Sequence, residues 1–444
     1  MRSLLEVIED RIHVLQKECN PLTLRHRFST LPDDILQRVF EVGSTPDKHG
    51  CRFSLQVSHV SRRFRDVALR TPRMWNVVHD GQTIAQITTS LSRSKSVDIG
   101  VFVGDQWEFE SNWRRTNIET FMNIVTQHSQ RWSMFGCYVN EGEDDVMGRC
   151  LACPGLALPN LTSLSCSRAY FEDPPGLGLF SSWSKPLLSQ FYGSDITLQP
   201  SMLGENLTSC HLDFDGREDE DRTWNFTGVL DALASTRALS ELTLNFEDVR
   251  SEHIVQDIPD ISIPSLATFH MSFIRCNTSK LIPPIMFALR TPNLSHLFVT
   301  LDMRSDCQDD SKTPIAAIFL DEKPYPHLLS LNLTAHNNEL ILPDLLVFLA
   351  TKSPSLVNLS FEGVDFDPTR LPNDCPVSWA TVKLDFCDLL LDESIESIIE
   401  NVQQNGKWDD FKKLKISNCR GLSLSYLRDL KARIGDKLDY ELQH

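Results

Sequence analysis

Metal ligation is the first chemistry to test, because the chain carries twelve cysteines and thirteen histidines. Only Cys150 and Cys153 stand close together, as a lone C-x-x-C. With no second pair and no spaced His pair they fall short of a zinc ligand set. The cysteines read as ordinary apolar thiols, and no metal is expected. His211, His270 and His296 could occupy neighbouring strands, but their spacing defines no ligand geometry. The acidic runs Glu141 to Asp145 and Glu218 to Asp221 lack the alternating acids and glycine of a calcium loop and read as solvated. No G-x-x-x-x-G-K-[ST] or G-x-G-x-x-G is present to cradle phosphate. Nor is there a G-x-S-x-G elbow or an H-E-x-x-H pair. The expectation is a non-catalytic chain without a cofactor, whose chemistry is recognition.

Composition narrows what is recognised. Among 444 residues, 60 acids outnumber 43 bases, for a net charge of −17. That excess argues against coating nucleic acid, which needs clustered Lys and Arg. The longest apolar run, Leu345 to Ala350, is far short of a membrane span. The opening MRSLLEVIED carries acids too early for a secretory leader. Seven N-x-[ST] sequons, such as Asn160 and Asn332, then read as by-products of a repeated phrase. Cytoplasm, nucleus or both, with reduced thiols, is the expected location.

Three stretches must position the recognition chemistry. In residues 1–22, Leu5, Ile8, Ile12, Leu15 and Cys19 form a narrow helical stripe that either docks on its own chain or pairs two chains; Asn20 and Pro21 end it. In residues 28–79, Ser29 or Thr30 is placed to cap a helix whose first turn holds Pro32, Asp33 and Asp34. Leu31, Ile35, Leu36, Val39 and Phe40 follow at helical spacing. After a polar break come Leu55, Val57, Val60, Phe64, Val67, Ala68 and Leu69, and then Met74 and Trp75. So many large apolar residues in a stretch this short leave a face to be covered by a partner.

The segments LPDDILQRVFEVG and SLQVSHVSRRFRDVALRTPRMWNVV resemble an F-box, in the form found in large fungal F-box families. Leu31, Pro32, Ile35, Leu36, Val39, Phe40, Val57, Val60, Phe64, Ala68, Met74 and Trp75 occupy the motif's places. Phe64 stands where Trp is frequent, and the connector from Gly43 to Phe53 is longer than in a minimal motif. The resemblance implies an all-α domain that binds a Skp adaptor, and through it a cullin–RING ligase. The implied adaptor contacts are Leu31, Pro32, Ile35, Leu36, Val39, Phe40, Val57, Val60, Phe64 and Trp75.

From residue 156 to the end a phrase recurs ten times, beginning with Pro159, Leu161, Leu164 and Cys166 and ending with Phe411, Leu414 and Ile416. Its mean spacing is about 28 residues, inside the leucine-rich-repeat range, with gaps from 19 to 34. Each phrase predicts a short strand with alternate residues turned into a shared core. The intervening runs around Val229, Ile285, Leu345 and Ile395 predict helices. The Asn that an ideal repeat carries after its third leucine is mostly missing. Residues 80–155 read as connecting helices with one or two degenerate leading repeats. Long irregular repeats of this kind resemble those that follow fungal F-boxes.

The expected fold is therefore α/β: a small all-α F-box, then a leucine-rich-repeat solenoid (a horseshoe) of about ten or more irregular repeats. Its concave face would carry Ser165, Gln190, Tyr192, His211, Glu241, Thr243, His270, His296, Phe298, Asn332, Ser360, Lys383, Lys413 and Lys415. Of these, Tyr192, His211, His270, His296, Phe298, Asn332, Lys383 and Lys415 are the candidate contacts to a protein target. The resemblance implies the substrate-recognition subunit of a Skp–cullin–F-box ubiquitin ligase. The alternative is a leucine-rich-repeat binding protein with a vestigial F-box, acting outside ubiquitin transfer.

Overall fold

The structure, a computed structural model, describes residues 31–44, 52–104, 116–139, 155–168, 180, 182–196, 198–217, 223–250, 253, 260–276, 278–302, 325–336, 340–342, 345–366 and 377–441. The helix expected in 1–22, the Cys150 and Cys153 pair and both acidic runs lie outside these residues. The chain forms two compact units, Met1–Met134 and Phe135–His444.

The first unit opens with helix α1, Asp33–Gly43. Its N-cap is Pro32, which makes no side-chain cap bond, and its first turn holds Asp33 and Asp34. The sequence had pointed to a cap from Ser29 or Thr30, both outside the described residues; the fixed φ of proline and the two acids at the positive helix end start this helix instead. Asp33 has a second task. Its carboxylate accepts from Arg63 Nε at 2.9 Å and Arg70 Nη2 at 2.8 Å, tying α1 to a helix thirty residues on.

The apolar run from Leu55 to Leu69 becomes two helices, α2 (Arg52–Val60) and α3 (Arg62–Arg70). Ser61 separates them: its backbone is extended and its Oγ accepts the Phe64 amide at 3.1 Å, an N-cap bond. A 3-10 turn, Pro72–Trp75, closes the group. Leu36, Phe40, Val57, Val67, Ala68, Met74 and Trp75 form one buried cluster, with Phe64 edge-on to Phe40 at 5.2 Å.

The two arginines hold the exposed Asp33 carboxyl below its ordinary range, through the Arg63 bond first and the Arg70 bond second. A depressed folded-state pKa gives stability that is present above the ordinary aspartate value, about 3.9, and is lost as pH falls through the folded value. Asp33→Asn should therefore destabilise the protein at neutral pH but not in acid, and high salt should shrink the gap. Urea titrations of both proteins across pH 2 to 7 at two salt concentrations would show it.

Strand β1 (Val77–His79), helix α4 (Ile84–Arg93) and the parallel strand β2 (Ile99–Gly104) follow directly. Thr83 and Gln86 make a capping box at the start of α4. Helix α5 (Ile118–Val125) then leads to β3 (Trp132–Val139). Two tryptophans mark this alternation. Trp75 Nε1 donates to the Ala68 carbonyl at 2.9 Å, and Trp132 Nε1 donates to the Val125 carbonyl at 3.1 Å. Each reaches back seven residues to a carbonyl in the last turn of the preceding helix; the Ala68 carbonyl also accepts the Thr71 amide, at 3.1 Å.

The second unit is built on parallel strands that stack in chain order: β4 (Ser163–Arg168), β5 (Gln190–Ser194), β6 (Ser209–Asp215), β7 (Glu241–Glu247), β8 (Thr268–Ile274), β9 (His296–Asp302), β10 (Ser330–His336), β11 (Asn358–Glu362), β12 (Thr381–Asp385), β13 (Lys413–Ser417) and β14 (Leu438–Glu441). Each pairs with its predecessor in one unbroken register. Consequently Leu164, Phe191, Cys210, Leu242, Phe269, Leu297, Leu331, Leu359, Val382 and Leu414, the second apolar position of every phrase, form one buried row. Two short parallel pairs, Ile261–Ser262 with Leu289–Arg290 and Leu340–Leu342 with Val364–Phe366, lie outside this ladder.

The expected helices are present as α6 (Phe226–Ala234), α7 (Thr278–Ala288), α8 (Leu345–Lys352) and α9 (Asp392–Gln404). A further helix, α10 (Leu424–Ile434), and β14 add a unit that the phrase count did not include. Strands β6 to β8 end three residues beyond the phrase, two further than β11 to β13. That extension stacks Phe214, Phe246 and Phe273 face to face across three strands, with centroids 5.0 Å apart at each step.

After each of several strands one residue turns left-handed: Asp195, Asp248, Arg275, Gly363, Phe386 and Asn418 have φ between 51° and 64°. Five of these six carry a side chain in a conformation that suits glycine or asparagine best. The amides of Asp248, Arg275, Gly363, Phe386 and Asn418 donate to the last carbonyl of the next strand, and that of Asp195 to the Asp213 carbonyl within β6, which holds the turns in place. One residue further on, Ile196, Val249, Cys276, Val364, Cys387 and Cys419 are buried where the repeat was expected to place Asn. The three thiols turn onto strand-end carbonyls at 3.2 to 3.7 Å.

The protein is thus a mixed α/β chain with a long parallel sheet and ten α-helices among the described residues. No helix among them is long and apolar enough to cross a membrane.

Candidate functional site

Helix α1 has two apolar faces. Leu36 and Phe40, four residues apart, point into the buried cluster of the first unit. Pro32, Ile35, Val39 and Val42, spaced three, four and three, form a second stripe, and Ile35, Val39 and Val42 are 46%, 49% and 61% exposed. The ten residues singled out for adaptor binding therefore divide. Leu36, Phe40, Val57 and Trp75 are buried in the unit's own core and are unavailable to a partner without unfolding. Pro32, Ile35, Val39 and Val60 are exposed, and Leu31 and Phe64 are half-buried at the margin. Val42, absent from that set, extends the stripe by one turn; its step of three beyond Val39 is the signal in the sequence.

On the sheet of the second unit, the register brings Ser165, Tyr192, His211, Thr243, His270, Phe298, Asn332, Ser360, Lys383 and Lys415 into one continuous row. Seven of the eight candidate target contacts lie in it. His296 is in the adjacent row with Glu241 and Lys413. All outward positions in the row from Tyr192 to Lys383 are half-exposed, as period-2 alternation over a buried row requires.

Two ring pairs organise this row. Tyr192 and His211 lie 4.8 Å apart, and His270 and Phe298 stack at 4.1 Å with planes 4° apart. Asp213 and Asn245, in the next row down, lock the first pair. The Tyr192 hydroxyl donates to Asp213 Oδ2, His211 Nε2 meets Asp213 Oδ1 at 2.8 Å, and Asn245 Nδ2 donates to the same oxygen at 2.8 Å. Burial pushes the Asp213 carboxyl up, but the bonds from His211, Tyr192 and Asn245 outweigh it and hold the group below its ordinary range. Burial, then the bond to Asp213, push the Tyr192 phenol well above its usual value, so it remains a proton donor. Burial draws His270 down, favouring the neutral ring.

Asp213 and Asn245 were missed as candidates because the phrase stops one residue short of them. The continuing alternation in HLDFD and LTLNF was the available sign. Towards the C-terminal end, Lys383 pairs with Asp385 at 3.1 Å and Lys413 with Asp439 at 3.5 Å, while Lys415 is exposed and makes no ion pair among the described residues. No cluster of three potential metal ligands occurs among the described residues. No protein-family model matches the chain, and no curated protein matches it significantly in sequence.

Proposed function

We propose that this chain is the target-recognition subunit of a Skp–cullin–F-box ubiquitin ligase, an F-box followed by a leucine-rich-repeat solenoid. The observation that carries the reading is the second apolar stripe of α1. A helix of eleven residues that already anchors its own core with Leu36 and Phe40 gains nothing from leaving Pro32, Ile35, Val39 and Val42 in water. The stripe suits a helix-in-groove contact with the adaptor, and three of its four residues, Pro32, Ile35 and Val39, match the F-box motif. The sheet row of the second unit would hold the target, so that its lysines come within reach of a conjugating enzyme bound to the cullin. Catalysis is then proximity supplied to another protein's chemistry.

Co-expression of the full chain with a Skp-type adaptor should give a one-to-one complex on size exclusion. Ile35→Asp with Val39→Asp should weaken it by at least about a thousandfold, on the order of 2 kcal/mol per buried apolar anchor. Because both side chains are exposed, the thermal melt should move little. Two separate peaks with the wild-type chain would sink the proposal.

A further inference from the structure

Strand β7 leaves a gap between the two ring pairs of the outward row. At the position where its neighbours carry His211 and His270, it carries Thr243. Two strand spacings separate the flanking strands, about 9 to 10 Å. Each ring is backed on its far side, His211 by Tyr192 and His270 by Phe298, so neither is free to fold away from the gap. The result is a slot with a threonine floor and two imidazole walls.

The ends of the slot are set by β7 itself. Glu241, two residues before Thr243, is exposed, and its carboxylate makes no ion pair or hydrogen bond among the described residues. It lies close enough to His270 to pull that ring's proton equilibrium up, against burial, the larger influence, and against the His211 ring, which pulls it down. Asn245 closes the other end, beside the Asp213 carboxylate. The two arginines just beyond the ends of β6 and β8 offer nothing to an anion. Arg217 is bound to Asp215, and Arg275 is bound to Glu247 and Asp248.

We propose that this slot takes a cationic side chain, Lys or Arg, from an extended segment of the target protein. The proposal rests on the reading of the sheet row as the target surface. A planar guanidinium stacks on a flat ring face, and the slot offers one on either side. The unpaired Glu241 carboxylate supplies the countercharge, and a chain with a net charge of −17 steers basic segments towards it. An acidic or phosphorylated segment would meet carboxylates at both ends of the slot.

The test selects binders from a randomised dodecapeptide phage library on the full-length chain, with synthetic peptides then measured by fluorescence anisotropy. The expected peptides share one Lys or Arg whose replacement by Gln weakens binding at least tenfold. Glu241→Gln and His270→Ala should each weaken it about tenfold, and Thr243→Phe, which fills the slot from a half-exposed position, should abolish it. Circular dichroism confirms that each variant is folded. Selected peptides without a basic residue, peptides that bind all three variants as well as wild type, or no selected peptide at all would each overturn the proposal. Adaptor co-elution measured on the same preparations separates the two readings, because its loss with peptide binding intact would count against the ligase assignment alone.

Discussion

Trp75→Ala is expected to cost about 3 to 5 kcal/mol, enough to leave the first unit largely unfolded at ordinary temperatures. The side chain is 2% exposed, and it closes the cluster that Leu36, Phe40 and Ala68 begin. Three losses coincide in the substitution. An indole-sized cavity opens under α1 and α3. The Ala68 carbonyl at the end of α3 loses one of its two donors, keeping the Thr71 amide, and the Arg93 guanidinium, 4.3 Å from the ring centre, loses its platform. Trp75→Phe separates these effects, since it keeps most of the buried area and removes the N–H; about 1 to 2 kcal/mol is expected. Urea unfolding with hydrogen exchange resolved over α1 to α3 is the appropriate measurement. A cost below about 1 kcal/mol for Trp75→Ala would show that the cluster does not depend on this residue.

Phe246→Ala is the corresponding lesion in the second unit. Its ring is fully buried between Phe214 and Phe273, and it also touches Phe226 of α6 at 5.9 Å. Loss of the side chain should cost about 3 to 5 kcal/mol, with Phe246→Leu limited to roughly 1.5. In a stack where each strand meets only its neighbours, the damage should be local. Exchange protection should fall first in β6, β7 and β8 and last in β12 and β13. Thr243→Ala on the opposite face of the same strand should change stability by no more than about 0.5 kcal/mol. Similar costs for the two substitutions would contradict the inward and outward assignment of β7.

The phrase Leu-x-x-Leu-x-Leu was enough to find strands β4 to β13, because every second residue had to be apolar and the register then aligned those residues. It was too short to find their ends. Phe214, Phe246 and Phe273 lie beyond the third apolar position, so the three-ring stack and the Asp213 and Asn245 contacts on the opposite face were invisible to a six-residue pattern. The missing repeat asparagine has the same origin: with the strands extended by two, the position falls on Cys276 and Val249, and at normal length on Cys387 and Cys419. Among the α1 residues, apolar periodicity marked both Leu36 and Ile35 but could not tell which faced the core. Helices that bury one stripe and expose another look alike in a one-dimensional pattern. The break at Ser61 was legible only as a capping serine before a charged turn, and the last unit was hidden because Leu438 opens a strand with no further leucine after it.

The agreement between chain order and strand order has a consequence for how such a molecule changes over generations. An in-frame duplication of the segment from the end of β6 to the end of β7 would add one rung and leave every other pairing as it is. The two ring pairs would move apart by one strand spacing, and the slot would become a trough. Point substitutions at positions 241, 243 and 245 would alter its lining without touching the buried row. Width and chemistry of the receiving surface can therefore drift independently, one through the copying of whole units and the other through single codons, while the interior that keeps the chain folded is conserved under both.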